Sequence, residues 1–304
     1  MGLLFNRKND KPFVDFKLVN NSNLKNRSRF FSAIDPKSKK ENDKKLSFKI
    51  DKDKSKVFFI EFKGNTTISN INEIREKINA VIDVANENDI LVFSIESPGG
   101  AVCSYGHLTY ELERVKKEGI QLITVVDQVA ASGGYMLAVT GDRVVATPNS
   151  ILGSIGVLVQ FPNFEELLRK IGVEFSFFTA GKNKVPLNPF NKPTEEGKEH
   201  LNKELEKTHK MFKDHVSKYR KDTDIDKVSE GDTFSGTEAL ELKMIDEIGS
   251  SDELIRSFTK NGQLVMKVCY EKPEDKRFLS RMTASISENL FQHISETFIN
   301  LQKR

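Results

Sequence analysis

Cysteine is scarce in this chain: Cys103 and Cys269 are the two in 304 residues. A disulfide framework needs more than one pair, so two free thiols are expected. Metal-ligand spacing is missing too. The five histidines, His107, His200, His209, His215 and His293, never combine with cysteines or acids in a metal-binding pattern, so neither a metal nor another cofactor is expected. No long apolar run occurs. The start, MGLLFNRKND, holds a four-residue apolar patch, against about 7–15 residues for a signal peptide and roughly 20 for a membrane span. Its Met-Gly opening carries Asn6 where myristoylation takes Ser or Thr. As written, the chain is expected to stay on the side of the membrane where it is made. One-signed charge is lacking as well. With 47 basic and 44 acidic residues the net charge is +3, and nucleic acid is not an expected partner.

What is present is a soluble, globular composition, 38% hydrophobic and 30% charged, long enough for one large domain or two modest ones. Residues 1–56 are polar and poor in periodic structure. Within them, PKSKKENDKKLSFKIDKDKSK (36–56) sets nine lysines against four acids, which reads as a solvated linker. The texture changes at residue 57. VFFIEF (57–62) reads as a buried strand, and Ile71, Ile74, Ile78, Val81 and Ala85 follow at helical spacing. ILVFSIES (90–97) is a second strand. Tyr105, Leu108, Leu112 and Val115 mark the next helix, with Gly119 as its stop. LITVVD (122–127) is a third strand and SGGYMLAVTG a short helix. RVVATP (143–148), IGVLVQ (155–160) and EFSFFTAG (174–181) read as further strands, with the helix NFEELLRKIG before the last. Beyond residue 190 the pattern turns helical, first over 194–220 with Thr194 as cap, then over SGTEALELKMIDEIG and SSDELIRSFTKNG. Strands alternating with helices, and strands that are continuously apolar, predict βαβ units around a mainly parallel sheet.

Two loops lead from strands into helices, ESPGGAV (96–102) and AASGGY (130–135). Ligand sites gather at the C-terminal ends of parallel strands. Glycine pairs before a helix expose N–H groups that suit a developing oxyanion, although turns need glycine for their own reasons. Ser132, in DQVAASGGYMLA (127–138), lies in the second loop. A lone serine among small residues commonly just starts a helix. The G-x-S-x-G elbow is absent because Ala130 takes the first glycine position. No histidine lies between Ser132 and His200, and His107 sits on an amphipathic helix. The remaining base for a serine is a neutral lysine. Lysine ordinarily titrates near ~10.4, and burial brings it to about 7–8. Lys182 and Lys184, in FFTAGKNKVPLNPF (177–190), stand in the least hydrophilic lysine setting of the chain.

ESPGGAVCSYG, VDQVAASGGYMLA, PNSILGSIGVLVQFPNF and TAGKNK, in that order and spacing, resemble the signal peptide peptidase A family, and its SohB-type members most closely. The similarity runs from about residue 57 to about residue 256. It implies a stacked α/β fold shared with ClpP and the crotonases, with a helical C-terminal part, and an ATP-independent serine endopeptidase acting on small or unfolded peptides. It places the nucleophile on Ser132, the general base on Lys184, the lysine-orienting hydroxyl on Ser154, and the oxyanion hole on the N–H groups of Gly100 and Gly133. It also implies a homo-oligomer in which neighbouring protomers share sites. The division expected is a Lys-rich segment 1–56, a peptidase domain 57–256 and an extension 257–304. The extension's stretch 284–302 is amphipathic and reads as packing on protein rather than lipid. SohB-type proteins usually start with a membrane-spanning helix and this chain shows none, which leaves a cytoplasmic place or a peripheral one at the inner membrane. Asn183 stands where relatives often carry tyrosine. Two other readings share the fold: a crotonase-type acyl-CoA enzyme, which lacks an evident carboxylate pair here, and a non-catalytic scaffold, against which the Ser/Lys pair argues.

Overall fold

The computed structural model describes residues 12–20, 29, 33, 55–66, 68, 70–160, 162–181, 184 and 187–271. The chain divides into two compact units, Phe16–Cys269 and the terminal stretches Met1–Asp15 with Tyr270–Arg304. Of the second, only residues 12–15 and 270–271 are described. They belong to strands β1 (Phe13–Leu18) and β10 (Leu264–Glu271).

The larger unit is built on continuous apolar runs. KVFFIEFK forms β2 (Lys56–Lys63), ILVFSIE forms β3 (Ile90–Glu96), QLITVV forms β4 (Gln121–Val126) and RVVA forms β6 (Arg143–Ala146). Strands this apolar need cover on both faces, and a parallel sheet supplies it. Including β9 (Glu247–Ile248), the order is β1-β10-β2-β3-β4-β6-β9, a seven-stranded sheet. The ladders from β10 to β9 are parallel. In register, Val57 faces Ile90 and Phe59 faces Val92, while Val92 faces Ile123. These residues share one face with Val125, Val145 and Val265, against Leu254 of helix α8 (Ser251–Lys260).

Helices α1 (Ile71–Val84) and α2 (Val102–Lys117) pack near the sheet through the apolar stripes read from their spacing. Phe62 stacks on Phe93 at 5.8 Å and meets Tyr105 of α2 edge-on at 6.3 Å. Each fully buried Phe of this kind contributes about 1.5–3 kcal/mol.

A second, three-stranded sheet holds β5 (Val129–Ala131), β7 (Ile151–Gly153) and β8 (Thr233–Ser235). β5 and β7 run parallel, and β7 and β8 antiparallel. It is tied to the end of β3, since Ser97 N–H donates to Val129 C=O at 2.8 Å and Ala131 N–H donates to Ser97 C=O at 3.0 Å. Helix α3 (Gly133–Val139) follows β5, α4 is Glu165–Lys170 and α5 is Glu195–Tyr219. Thr194 caps α5, its side chain accepting from Gly197 N–H at 3.1 Å. Short α6 (Ile225–Val228) and α7 (Gly236–Glu241) complete the unit.

Three expectations need correction. Residues 155–160 and 174–181 alternate or cluster apolar side chains as strands do, yet neither stretch is a strand. Leu158 is 79% and Phe178 93% exposed, so no sheet among the described residues covers them. Conversely, the polar 1–56 segment contains β1, whose FVDFKL is too short among polar neighbours to stand out. The amphipathic stretch 284–302 lies outside the described residues. Both cysteines are free. Among the described residues, no helix is long and apolar enough to cross a membrane.

Candidate active site

β5 ends at Ala131 and α3 starts at Gly133, so one residue turns the chain from strand into helix. That residue is Ser132, with φ 51° and ψ −122°. Positive φ on a residue with a Cβ costs on the order of 1–3 kcal/mol. A strand-to-helix elbow uses such a turn to hold a hydroxyl out from the backbone. Both flanking elements pin it. Ser132 N–H donates to Gly153 C=O at 2.8 Å, and Ser132 C=O accepts from Met136 N–H at 3.0 Å.

Ser154 repeats this geometry one strand over. Ala131 of β5 lies opposite Gly153 of β7, so Ser132 and Ser154 come next on neighbouring parallel strands, which are spaced about 4.8 Å apart. Ser154 also has φ 51°, and its N–H donates to Asp232 C=O at 2.6 Å.

The loop after β3 closes on the elbow from the other side, and glycine is what lets it. A Cβ on Gly99 would fall 2.7 Å from Ser132 Cβ and 2.9 Å from Gly133 N. A Cβ on Gly100 would fall 2.3 Å from Thr66 O, one on Gly133 2.5 Å from the Tyr105 ring, and one on Gly134 2.5 Å from Ser97 O. Among the described residues, the N–H groups of Gly100 and Gly133 have no acceptor. For Gly133 this follows from its place at the first position of a helix.

Beneath the loops, one hydrogen-bond chain has a single consistent direction. Tyr105 OH donates to Asn65 C=O at 2.9 Å. Its one hydrogen is thereby spent, so in the 2.6 Å contact with Ser97 Oγ the serine is the donor. Ser97 Oγ in turn accepts from Gly99 N–H at 3.1 Å. Burial raises the Tyr105 phenol above its ordinary value, against a smaller opposite effect of the Ser97 bond, so it stays protonated. Ser97 and Tyr105 escape sequence reasoning. The first carries no pattern, and the second reads as one more apolar position of α2.

A cavity of about 410 Å³ opens beside Ser132, within the range of about 300–1,000 Å³ for ligand sites. Gly100 and Gly133 line it, as do Val102 and Glu113 of α2, Met136 of α3 and His215 of α5. His215 Nε2 lies 3.1 Å from Met136 C=O. Burial pushes the His215 imidazole below its ordinary value, partly offset by that carbonyl and by Glu113. Burial pushes Glu113 up, but hydrogen bonds from Lys218 and Tyr219 outweigh it and hold the carboxylate below its ordinary value.

Of the five residues singled out in the sequence, the fold thus gathers Ser132, Ser154, Gly100 and Gly133. Among the described residues, no contact joins Lys184 to them. Its side chain is exposed, its N–H donates to Gly181 C=O at 3.1 Å, and it is not among the described residues lining the cavity. Lys182 lies outside the described residues.

Sheet, crossovers and elbow together define an α/β protein of the ClpP/crotonase-like class. The comparison with known proteins is narrower. The chain belongs to peptidase family S49, whose model matches residues 114–265 and whose N-terminal model matches residues 13–112. It is 39% identical over 246 residues to "Probable protease SohB" of Buchnera aphidicola subsp. Acyrthosiphon pisum, covering 81% of this chain and 72% of that protein. It is 39% identical over 254 residues to "Probable protease SohB" of Haemophilus influenzae, covering 84% and 69%. A protein of Enterococcus faecium named for signal peptide peptidase SppA is 29% identical over 187 residues, covering 61% and 54%. The chain is therefore a peptidase by family, and the match reaches well upstream of residue 57.

Proposed function

We propose that this peptidase is an ATP-independent serine endopeptidase for small or unfolded peptides, with Ser132 as nucleophile and Lys184 as general base. The observation that carries the reading is the Ser132 elbow, facing two open N–H groups at the edge of a cavity. Lys184 Nζ, as the neutral amine, takes the hydroxyl proton while Ser132 Oγ bonds to the peptide carbonyl carbon. The carbonyl oxygen becomes an oxyanion that accepts from Gly100 and Gly133 N–H. Removing one such donor typically costs about 2.7–4 kcal/mol of barrier. Collapse breaks the C–N bond, the Lys184 ammonium protonates the leaving amine, and an ester on Ser132 remains. Water then attacks the ester carbonyl, with Lys184 as base, and the Ser132 hydroxyl is restored.

Ser154, one strand from Ser132, is the hydroxyl that orients the amine. The amine itself comes from a second copy of the chain. Two features favour this arrangement: Lys184 is exposed in its own chain, and the stretch that carries it shows uncovered apolar residues such as Leu158, Ile171 and Phe178. Covering that stretch with another copy would also desolvate the amine and lower its pKa toward neutrality.

The test is peptide cleavage by Ser132→Ala, by Lys184→Met and by a 1:1 mixture after subunit exchange. Each variant alone is expected to be inactive. The mixture regains about a quarter of wild-type activity, the share of sites pairing an intact serine with an intact lysine in a cyclic assembly. Full activity in Ser132→Ala sinks the nucleophile. An inactive mixture of two exchanging, folded variants places both groups in one chain.

A further inference from the structure

The cavity beside Ser132 has walls of one kind and polar groups of another. Val102, Met136, Met211 and Phe212 give it apolar surface. Ser132 stands at its edge and Tyr105 has spent its hydrogen on Asn65 C=O; leaving aside the exposed Tyr110 and the Cys103 thiol, its other polar side chains are Thr109, Glu113, Thr208 and His215. Following their hydrogens gives an uneven result. Thr109 Oγ1 donates to Tyr105 C=O at 2.9 Å. Thr208 Oγ1 donates to Glu204 C=O at 2.8 Å. Glu113 is a carboxylate whose Oε1 receives Lys218 Nζ at 2.6 Å and Tyr219 OH.

His215 follows the same pattern. A carbonyl only accepts, so the 3.1 Å contact with Met136 fixes the hydrogen of the neutral ring on Nε2. Nδ1 then carries a lone pair, and no described residue donates to it. Away from Ser132 and the open N–H groups of Gly100 and Gly133, these four groups thus have no hydrogen to spare, and what they offer the cavity is acceptors.

His215 Nε2 is committed to the carbonyl of Met136, four residues along the chain from Ser132, and four helical residues rise about 6 Å, of the order that a phenol ring spans.

We propose that this cavity is a substrate side-chain subsite selecting a residue with an apolar body and a hydrogen-bond donor at its tip, tyrosine ahead of phenylalanine, with His215 Nδ1 as the specificity-determining acceptor. The proposal rests on the peptidase reading for its role in catalysis, but not for its binding chemistry. An aromatic ring fills the space between the two methionines, where adaptable thioethers favour contact with rings. The hydroxyl supplies the hydrogen that the acceptors lack. Phenylalanine would bury them unpaired, and sites built for a substrate hydroxyl reject the analogue without one for that reason.

The test begins with the side-chain analogues p-cresol and toluene, titrated into the full chain while the histidine ring nitrogens are followed by NMR. p-Cresol is expected to bind about tenfold more tightly than toluene, and to shift the His215 Nδ1 signal. Equal affinities, or an unmoved Nδ1 signal, overturn the proposal without reference to catalysis. In His215→Leu the preference for p-cresol is expected to vanish, and a retained preference likewise overturns it. Should that variant fail to fold, the wild-type titration decides alone.

The second arm uses peptides in which one residue, walked along the sequence, is Tyr or Phe. At one position kcat/KM is expected to favour Tyr about tenfold. A flat ratio in cleavage that Ser132→Ala abolishes overturns the subsite and leaves the peptidase reading standing. Cleavage that survives Ser132→Ala overturns the peptidase reading, while the p-cresol result still judges the subsite.

Discussion

Ser132 and Lys184 stand in opposite kinds of structure. The serine sits where two sheets meet, between strand and helix, with four glycines packed so closely around it that no side chain fits on any of them. The lysine sits among residues 157–192, where Leu158, Ile171 and Phe178 are largely uncovered and helix α4 buries no residue. Under the proposed mechanism, a nucleophile, its oxyanion donors and an orienting hydroxyl are thus complete within one folded chain while the base comes from an exposed stretch. The contrast puts the stability of the fold on one side and, under the shared-site reading, the control of activity by assembly on the other.

Glycine substitutions give the sharpest way to break that contrast. Gly134→Ala drives a Cβ to 2.5 Å from the backbone oxygen of Ser97, in a layer where neither element can give way. A loss of about 3 kcal/mol or more is expected, enough to leave much of the protein unfolded. Gly172→Ala, in the Lys184 stretch, meets nothing within 4 Å and pays for its φ of +78° alone, a cost of about 1 kcal/mol. Denaturant unfolding of the two variants measures both. Equal losses would mean that the two regions are not held so differently.

A subtler substitution probes the same buried layer without a clash. Tyr105→Phe keeps the ring under Gly133 but removes the acceptor of the Ser97 hydroxyl and the donor to Asn65 C=O. Leaving these groups unpaired costs about 1–3 kcal/mol. The loop carrying Gly99 and Gly100 loses its anchor as well. Under the proposed mechanism the expected kinetic signature is a lower kcat with KM nearly unchanged, because a loosened oxyanion donor matters in the transition state more than in substrate binding. A rise in KM at constant kcat would instead place Tyr105 in substrate binding.

How much of this was legible beforehand follows the same division. β2, β3, β4 and β6 are long apolar runs, and the sequence places each within a few residues, as it does the stripes of α1 and α2 and the Thr194 cap. The strands that build the elbow were invisible. β5, β7, β8 and β9 are two or three residues long, too short for any period to register, and Val129-Ala130-Ala131 reads as a lead into the helix. The uncovered stretch misled in the opposite direction. IGVLVQ and EFSFFTAG have strand composition because composition records what a surface is made of, not whether this chain covers it. For the site, Ser132 and Ser154 were picked by resemblance rather than pattern, and the fold brings them to adjacent strand ends. The cavity could not be read at all, since Val102, Met136 and His215 meet only when α2, α3 and α5 pack.

The smallest expected effect concerns that last meeting. His215 is held neutral, with its folded-state pKa below the unfolded value, because burial outweighs the help of Met136 C=O and Glu113, and Lys218 adds like-charge repulsion. Glu113 faces it from α2, and Lys218 and Tyr219 from its own helix. As pH falls through about 6.5, the unfolded chain takes up a proton at this position that the folded chain refuses. Stability contributed by the neutral ring is therefore present above that pH and is lost as pH drops toward the lowered folded value, with a slope no greater than about 1.4 kcal/mol per pH unit. Glu113, lowered likewise, adds a loss in the same direction only below its own ordinary range near 4.5. The two are separable by pH. His215→Gln keeps an amide donor for Met136 C=O but cannot titrate, so its stability curve is expected to run flatter than wild type as pH falls below about 6.5. Matching slopes throughout would mean that the folded chain takes up this proton as readily as the unfolded one, and the protonated ring would leave the cavity no acceptor at Nδ1.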